Sequence, residues 1–183
     1  MGVTLSAGSS LNWFKNNFAK NQSFDELLSC MEKAPAGCGG RGSFTVIDIS
    51  HTMAHFTRAV MEGITFLLKD CMELMIKSGK IYEHVVSVGG GAKNKGWLQM
   101  QADIFNCPII TLETEHGPSL GACMTAAVGA GWFDSFQECA GKFVNLSGKY
   151  TPNPQNAEKY KSVYEKYKQI YAATQSLYKP WNL

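Results

Sequence analysis

Val85-Val86-Ser87-Val88-Gly89-Gly90-Gly91-Ala92-Lys93-Asn94 decides the reading of this 183-residue chain. An apolar, β-type run stops abruptly in three glycines, and an amphipathic helical pattern starts a few residues later, at about Trp97. Glycine lets the main chain turn through positive φ and leaves no side chain between backbone and ligand. A helix that follows such a turn aims its free N–H groups and its positive dipole end back at it. Strand, bare turn and helix start, at the mouth of what reads as a central strand, suit a flat anionic ligand such as a nucleotide. Two familiar phosphate loops are excluded. Lys93 and Lys95 do not follow the second glycine of a P-loop, and Asn94 stands where the last glycine of G-x-G-x-x-G belongs. The bland alternative is a glycine turn that only hands a strand over to a tightly packed helix.

Working outward, the flanks repeat the alternation. A strand is expected over 84–88, a helix over 95–105, a strand over 108–112 and a helix over 119–130. This order indicates an α/β layer with parallel pairing, in which ligands bind where strand ends meet helix starts. Upstream, Ser50 is expected to cap a long helix from about His51 to Lys77. Its buried face would carry Val60, Ile64, Leu67, Leu68, Cys71 and Met75, widened by Ala59, Phe66 and Met72, and Gly79 would stop it. Earlier still, a short helix covers Leu11–Phe18, and Ser23 with Glu26 forms a capping box for the next. Pro35–Gly42 breaks regular structure, and 43–49 reads as a strand. Downstream, Ser135 caps a short helix to about Val144, and Thr151–Pro154 is a turn. A last helix runs from about Ala157 to Tyr178, with Tyr160, Val163, Tyr164, Tyr167, Ile170, Tyr171 and Tyr178 on one face.

Composition narrows the partners. A hydrophobic content of 45% supplies a core for one domain, and the net charge of +2 comes without a basic stripe, which argues against nucleic acid. No apolar run reaches membrane-spanning length, and Met1–Leu5 does not open a signal peptide. The six cysteines, Cys30, Cys38, Cys71, Cys107, Cys123 and Cys139, include no C-x-x-C pair. They read as reduced core residues of a cytoplasmic protein, four of them in apolar stretches. His51 and His55 have i, i+4 spacing but no third ligand, so no metal site is expected. Asp103 reads as a capping or helix-packing residue rather than a general base, and Glu113 and Glu115 as solvated loop charges.

Taken in order, the segments resemble the C-terminal domain of the FGGY carbohydrate kinases, and within them the branch acting on ketopentoses such as xylulose. Gly89-Gly90-Gly91-Ala92-Lys93-Asn94 with Trp97, Gln99, Met100, Ala102 and Asp103 is similar to that family's adenosine motif, glycines followed by W-x-Q-M-x-A-D. Gly117–Ala122 and Ala126–Gly129 resemble its next helix. Gly2–Trp13, Asp48–Thr52, Arg58–Gly63 and Pro152-Asn153-Pro154 fit the same pattern, so the likeness spans nearly all of residues 1–183. It implies a ribonuclease H-like, actin-like ATPase domain, the second lobe of a sugar kinase, with extra C-terminal helices. It further implies ATP or ADP with Mg2+ as cofactors. Gly90, Gly91 and Ala92 would lie against adenosine and α-phosphate. Gly89 and Lys93 complete the nucleotide-binding turn and are expected to belong to the same cofactor site; Asn94 and Gln99 would stand near adenine and ribose. The sugar pocket and the general-base aspartate belong to a first lobe not contained in this sequence, so no catalytic residue is expected here. The terminal-phosphate hairpin would also lie upstream, and a family stretch between Gly40 and Arg41 is missing. The rival readings are a non-catalytic nucleotide module and a protein-interaction module using the Tyr-rich helix. A homodimer stays open.

Overall fold

The computed structural model describes residues 7–33, 49–113 and 117–174. The expected break at Pro35–Gly42, most of the strand expected over 43–49, the junction of Gly40 with Arg41, Cys38, Glu115 and Tyr178 lie outside these residues.

Three helices build the first layer: α1 (Ala7–Phe18), α2 (Phe24–Met31) and α3 (Met53–Lys77). Ser23 caps α2 as its sequence predicts: its hydroxyl accepts from the Glu26 N–H at 3.1 Å, and its own N–H donates to the Glu26 carboxylate at 2.7 Å. The cap of α3 is Thr52, not Ser50, because His55 sits at the third helical position and its Nδ1 accepts the Thr52 N–H at 3.1 Å. That bond gives His55 a structural task. At the other end Gly79 takes φ +87°, and the Lys80 N–H reaches back to the Met75 carbonyl, a left-handed stop only glycine adopts freely.

The buried face of α3 carries Ala59, Ile64 and Phe66 as the apolar periodicity expects, but departs from it elsewhere. Leu67 is 39% exposed, whereas Thr57, Thr65 and Glu62 are buried. Each threonine hydroxyl donates to the carbonyl four residues back, Met53 and Met61, which removes most of its burial cost. Glu62 is held by Arg58 Nε at 2.9 Å and by the Tyr160 hydroxyl at 2.8 Å, while Arg58 also donates to Tyr160. This pairing ties α3 to α7 (Pro154–Thr174). Tyr160 and Tyr164 are buried beside Phe66, Met61 and Met100. Tyr160 and Tyr164 of the tyrosine stripe are therefore spent on the core, whereas Tyr171, at 73% exposure, falls off that face.

The sheet joins β1 (Val85–Val86), β2 (Ile109–Leu112) and β3 (Leu146–Tyr150) in the order β1-β2-β3. The β1–β2 pair is parallel, as expected, with α4 (Lys95–Phe105) as its crossover. Two features differ from expectation. The third strand is antiparallel to β2; its polar sequence Leu-Ser-Gly-Lys-Tyr carries no strand signal of its own. It is made by pairing: at the irregularity near Thr111, the Gly148 N–H donates to the threonine hydroxyl at 2.9 Å, and a Cβ on Gly148 would stand 2.8 Å from that oxygen. Among the described residues β1 is also an edge strand, because its only ladder is to β2, which occupies the middle. Between β2 and β3 come α5 (Gly117–Gly129) and α6 (Phe136–Phe143), the latter capped by Ser135 as predicted. The five described cysteines are free; Cys107 and Cys139 are buried, but Cys123 is exposed on α5, contrary to a core role.

Candidate functional site

The three glycines do three different things. Gly89 takes φ +83° and ψ −164°, which turns the chain out of the sheet and excludes side chains on backbone grounds. The Ala92 N–H closes onto the Gly89 carbonyl at 3.0 Å, and Gly90–Lys93 forms one turn of 3-10 helix. Gly91 is crowded by packing: a Cβ there would lie 3.1 Å from Cζ3 of Trp97, so the indole would have to give by a few tenths of an ångström. Gly90 is required by neither: its φ is ordinary and a Cβ there would meet nothing within 4 Å. The fold gives no reason for glycine at 90, and the position faces open space.

Asn94 ends the turn and starts α4. Its side-chain oxygen accepts the Trp97 N–H at 2.8 Å, and its carbonyl accepts the Leu98 N–H at 3.0 Å. Ala92 packs with Leu98, Ala102 and Ile109, which anchors the turn to the sheet; Lys93 is exposed. Gly89, Gly90, Gly91, Ala92, Lys93 and Asn94 are thus brought together as one turn at the carboxyl end of β1.

Gln99 is placed elsewhere. Its side-chain nitrogen donates to Asp103 and to the Thr151 carbonyl, each at 2.8 Å. Ile109 pairs with Val85 on one side and with Tyr150 on the other. Thr151 therefore lies at the end of the sheet where β1 begins, and the glycine turn where β1 finishes. Asp103, 3% exposed, accepts the Asn153 N–H at 2.8 Å and the Asn156 side-chain N–H at 2.9 Å besides the Gln99 amide. Its oxygens are occupied in clamping the Thr151–Asn156 turn to α4, which bears out the packing role.

Trp97, which the sequence offers as the start of an apolar pattern and as part of the resembling motif, lies beneath the turn. It is 8% exposed, and its indole N–H donates to the Thr65 hydroxyl of α3 at 3.0 Å. Nothing in the spacing signals that bond, which joins residues 32 apart. Among the described residues no three His, Cys, Asp or Glu side chains converge as a metal cage, and no helix is long and apolar enough to cross a membrane.

Residues 34–130 match the family model described as the FGGY family of carbohydrate kinases, C-terminal domain. A xylulose kinase of Bacillus subtilis is 48% identical over 196 residues, covering 97% of this chain and 39% of that protein. One from Lactococcus lactis is 45% identical over 186 residues, 90% of this chain and 37% of its own length. The crystal structure of a ligand-bound xylulose kinase from Lactobacillus acidophilus superposes with a TM-score of 0.84 at 27% identity, over 93% of this chain and 39% of the other. The chain thus spans well under half the length of the relatives it matches. A family match over more than half its residues, with the glycine turn inside the matched span, shows that this chain belongs to the FGGY family of carbohydrate kinases.

Proposed function

We propose that this chain is the nucleotide side of an ATP-dependent sugar kinase that phosphorylates a ketopentose such as xylulose in the cytoplasm. Residues 1–183 would form the second, actin-like and ribonuclease H-like lobe, working against a lobe outside this sequence. The observation that carries the reading is Gly90, a glycine that neither φ nor packing explains, opening to solvent at the end of β1. Bare main chain there leaves room for adenosine and its α-phosphate against Gly90, Gly91 and Ala92. Asn94 sets the direction of α4, whose N-terminal end faces the same turn. Gln99 we assign to the clamp with Asp103 rather than to the ligand. The names of the relatives supply the sugar class.

Phosphoryl transfer depends on positioning and charge neutralisation more than on covalent chemistry by the protein. This chain's share is to seat the nucleotide so that its terminal phosphate meets an acceptor hydroxyl held by the other lobe. Mg2+ would neutralise phosphate charge in that reaction.

Titration calorimetry with ADP tests the reading. The chain binds ADP weakly, and Gly90→Val lowers affinity by about tenfold, roughly 1.4 kcal/mol, with an unchanged far-ultraviolet spectrum. The chain alone gives no turnover with ATP and xylulose, because acceptor and base must be aligned with the nucleotide. Absence of heat together with unmoved amide resonances at Gly89–Asn94 would refute the site.

A further inference from the structure

We infer that Trp97 is a positioning residue for the glycine turn, and that α3 takes part in nucleotide binding through it. The inference rests on the nucleotide reading of Gly89–Asn94 and goes beyond it by naming what holds the turn in shape. The Trp97 benzo ring lies directly under Gly91: Cζ3, Cε3 and Cη2 would stand 3.1, 3.3 and 3.5 Å from a Cβ at that position. The other edge of the indole is fixed, because its N–H donates to the Thr65 hydroxyl at 3.0 Å. Thr65 is fully buried, and its hydroxyl donates onward to the Met61 carbonyl at 2.7 Å.

The chain of contacts therefore runs from the backbone of α3 through one hydroxyl and one rigid ring to the main chain of the turn. A planar indole held at one edge has little rotamer freedom. The approach of Gly91 to α4 is then limited by the Trp97 ring rather than by the loop itself. The same Trp97 gives its main-chain N–H to Asn94, so one residue fixes both the floor of the turn and the cap that ends it. A turn made of glycines has no stiffness of its own, and a ligand that rests on main chain needs that stiffness from below.

The test is ADP titration of the full 183-residue chain and of single variants, each checked for folding by circular dichroism. Trp97→Phe removes the benzo atoms under Gly91 and the N–H donor, and is expected to weaken ADP by about tenfold. Thr65→Val removes the acceptor for the indole together with the hydroxyl's own bond to the Met61 carbonyl, and is expected to weaken ADP by about fivefold, the net worth of one hydrogen bond. Thr65→Ser, which keeps the hydroxyl, restores wild-type affinity. Gly91→Ala weakens ADP in the wild type but much less in Trp97→Phe, where the smaller ring leaves space for the new Cβ. ADP affinity equal to wild type in folded Trp97→Phe and Thr65→Val would overturn the inference while leaving the nucleotide site standing. No ADP binding by the wild type would overturn the site, and this inference with it. If Trp97→Phe does not fold, Thr65→Val against Thr65→Ser still decides.

Discussion

Replacing Asp103 tests whether the Thr151–Asn156 turn is held by charge or merely lies against α4. The carboxylate is buried and accepts three N–H groups, from Gln99, Asn153 and Asn156, at 2.8, 2.8 and 2.9 Å. Hydrogen bonds to a charged acceptor contribute about 1.5–3 kcal/mol each, and orphaned donors cost in proportion to their burial. In Asp103→Ala the Gln99 amide keeps its bond to the Thr151 carbonyl, and Asn153 is exposed enough for its N–H to find water. Only the Asn156 amide, half-buried, is strongly penalised. The sum comes to about 3–4 kcal/mol, somewhat below the roughly 4.5 kcal/mol low end for three such bonds, because two of the donors find other partners. For a chain of this length that lowers the melting temperature by roughly 10 °C. Asp103→Asn behaves differently. Its remaining oxygen still accepts from Gln99 and Asn153, and Asn156 can turn its amide to meet the new NH2, so the loss is about 1 kcal/mol and roughly 3 °C. Thermal melts by circular dichroism give the order wild type, Asn, Ala, and amide exchange at Asn153 quickens in the same order. An Asp103→Ala variant melting within about 1 °C of wild type, or an Asn153 amide equally protected in all three, would refute the clamp.

The remaining predictions concern the core and the caps. Tyr160→Phe removes the hydroxyl shared by Arg58 and buried Glu62; stability falls by about 2 kcal/mol in urea denaturation, with an unchanged slope. Burial pushes the Tyr160 and Tyr164 hydroxyls well above the ordinary tyrosine range, with Glu62 and Asp70 adding to it. Tyrosines of the unfolded chain ionise near about pH 10, so the stability these two contribute is complete below that pH and is lost as pH rises beyond it. The tyrosinate absorbance of the folded chain omits both until unfolding; reversible ionisation of all seven tyrosines with native circular dichroism would contradict this. Ser23→Ala removes one half of the capping box, since the hydroxyl no longer receives the Glu26 N–H, while the main-chain N–H of residue 23 keeps its bond to the Glu26 carboxylate. It costs about 1 kcal/mol by chemical denaturation.

What the sequence makes legible is what local chemistry dictates. The bounds of α4 follow from its own residues: Asn94 caps it and Asn106, at φ 51°, ends it in the left-handed conformation. The Ser23 and Ser135 caps and the Gly79 stop are equally local. β3 is not local. Gly148 and Lys149 have no strand preference, and the segment is extended because Thr111 on a neighbouring strand accepts its amide. The same distinction explains α3. Apolar spacing points to Leu67, yet the helix is rotated to bury Glu62, because a tyrosine 98 residues away supplies the missing hydrogen bond. Helix periodicity has no access to such a partner, so it misplaces the face wherever a buried charge is paired at long range.

The candidate site divides along the same line. Three identical letters in a row carry one sequence signal, a flexible break, and only the structure separates a φ requirement at Gly89 from a packing requirement at Gly91 and from the unexplained Gly90. Had Gly90 also been demanded by a neighbouring atom, the turn would be fully accounted for as strand-to-helix hand-over, and the nucleotide reading would rest on resemblance alone. Because it is not, replacing Gly90 should spare folding and reduce binding, whereas replacing Gly89 should strain the backbone by about 1 kcal/mol whatever binds there. The contrast between adjacent glycines, measured in one chain by denaturation and by ADP titration, separates a ligand-facing position from a fold-required one without reference to any relative.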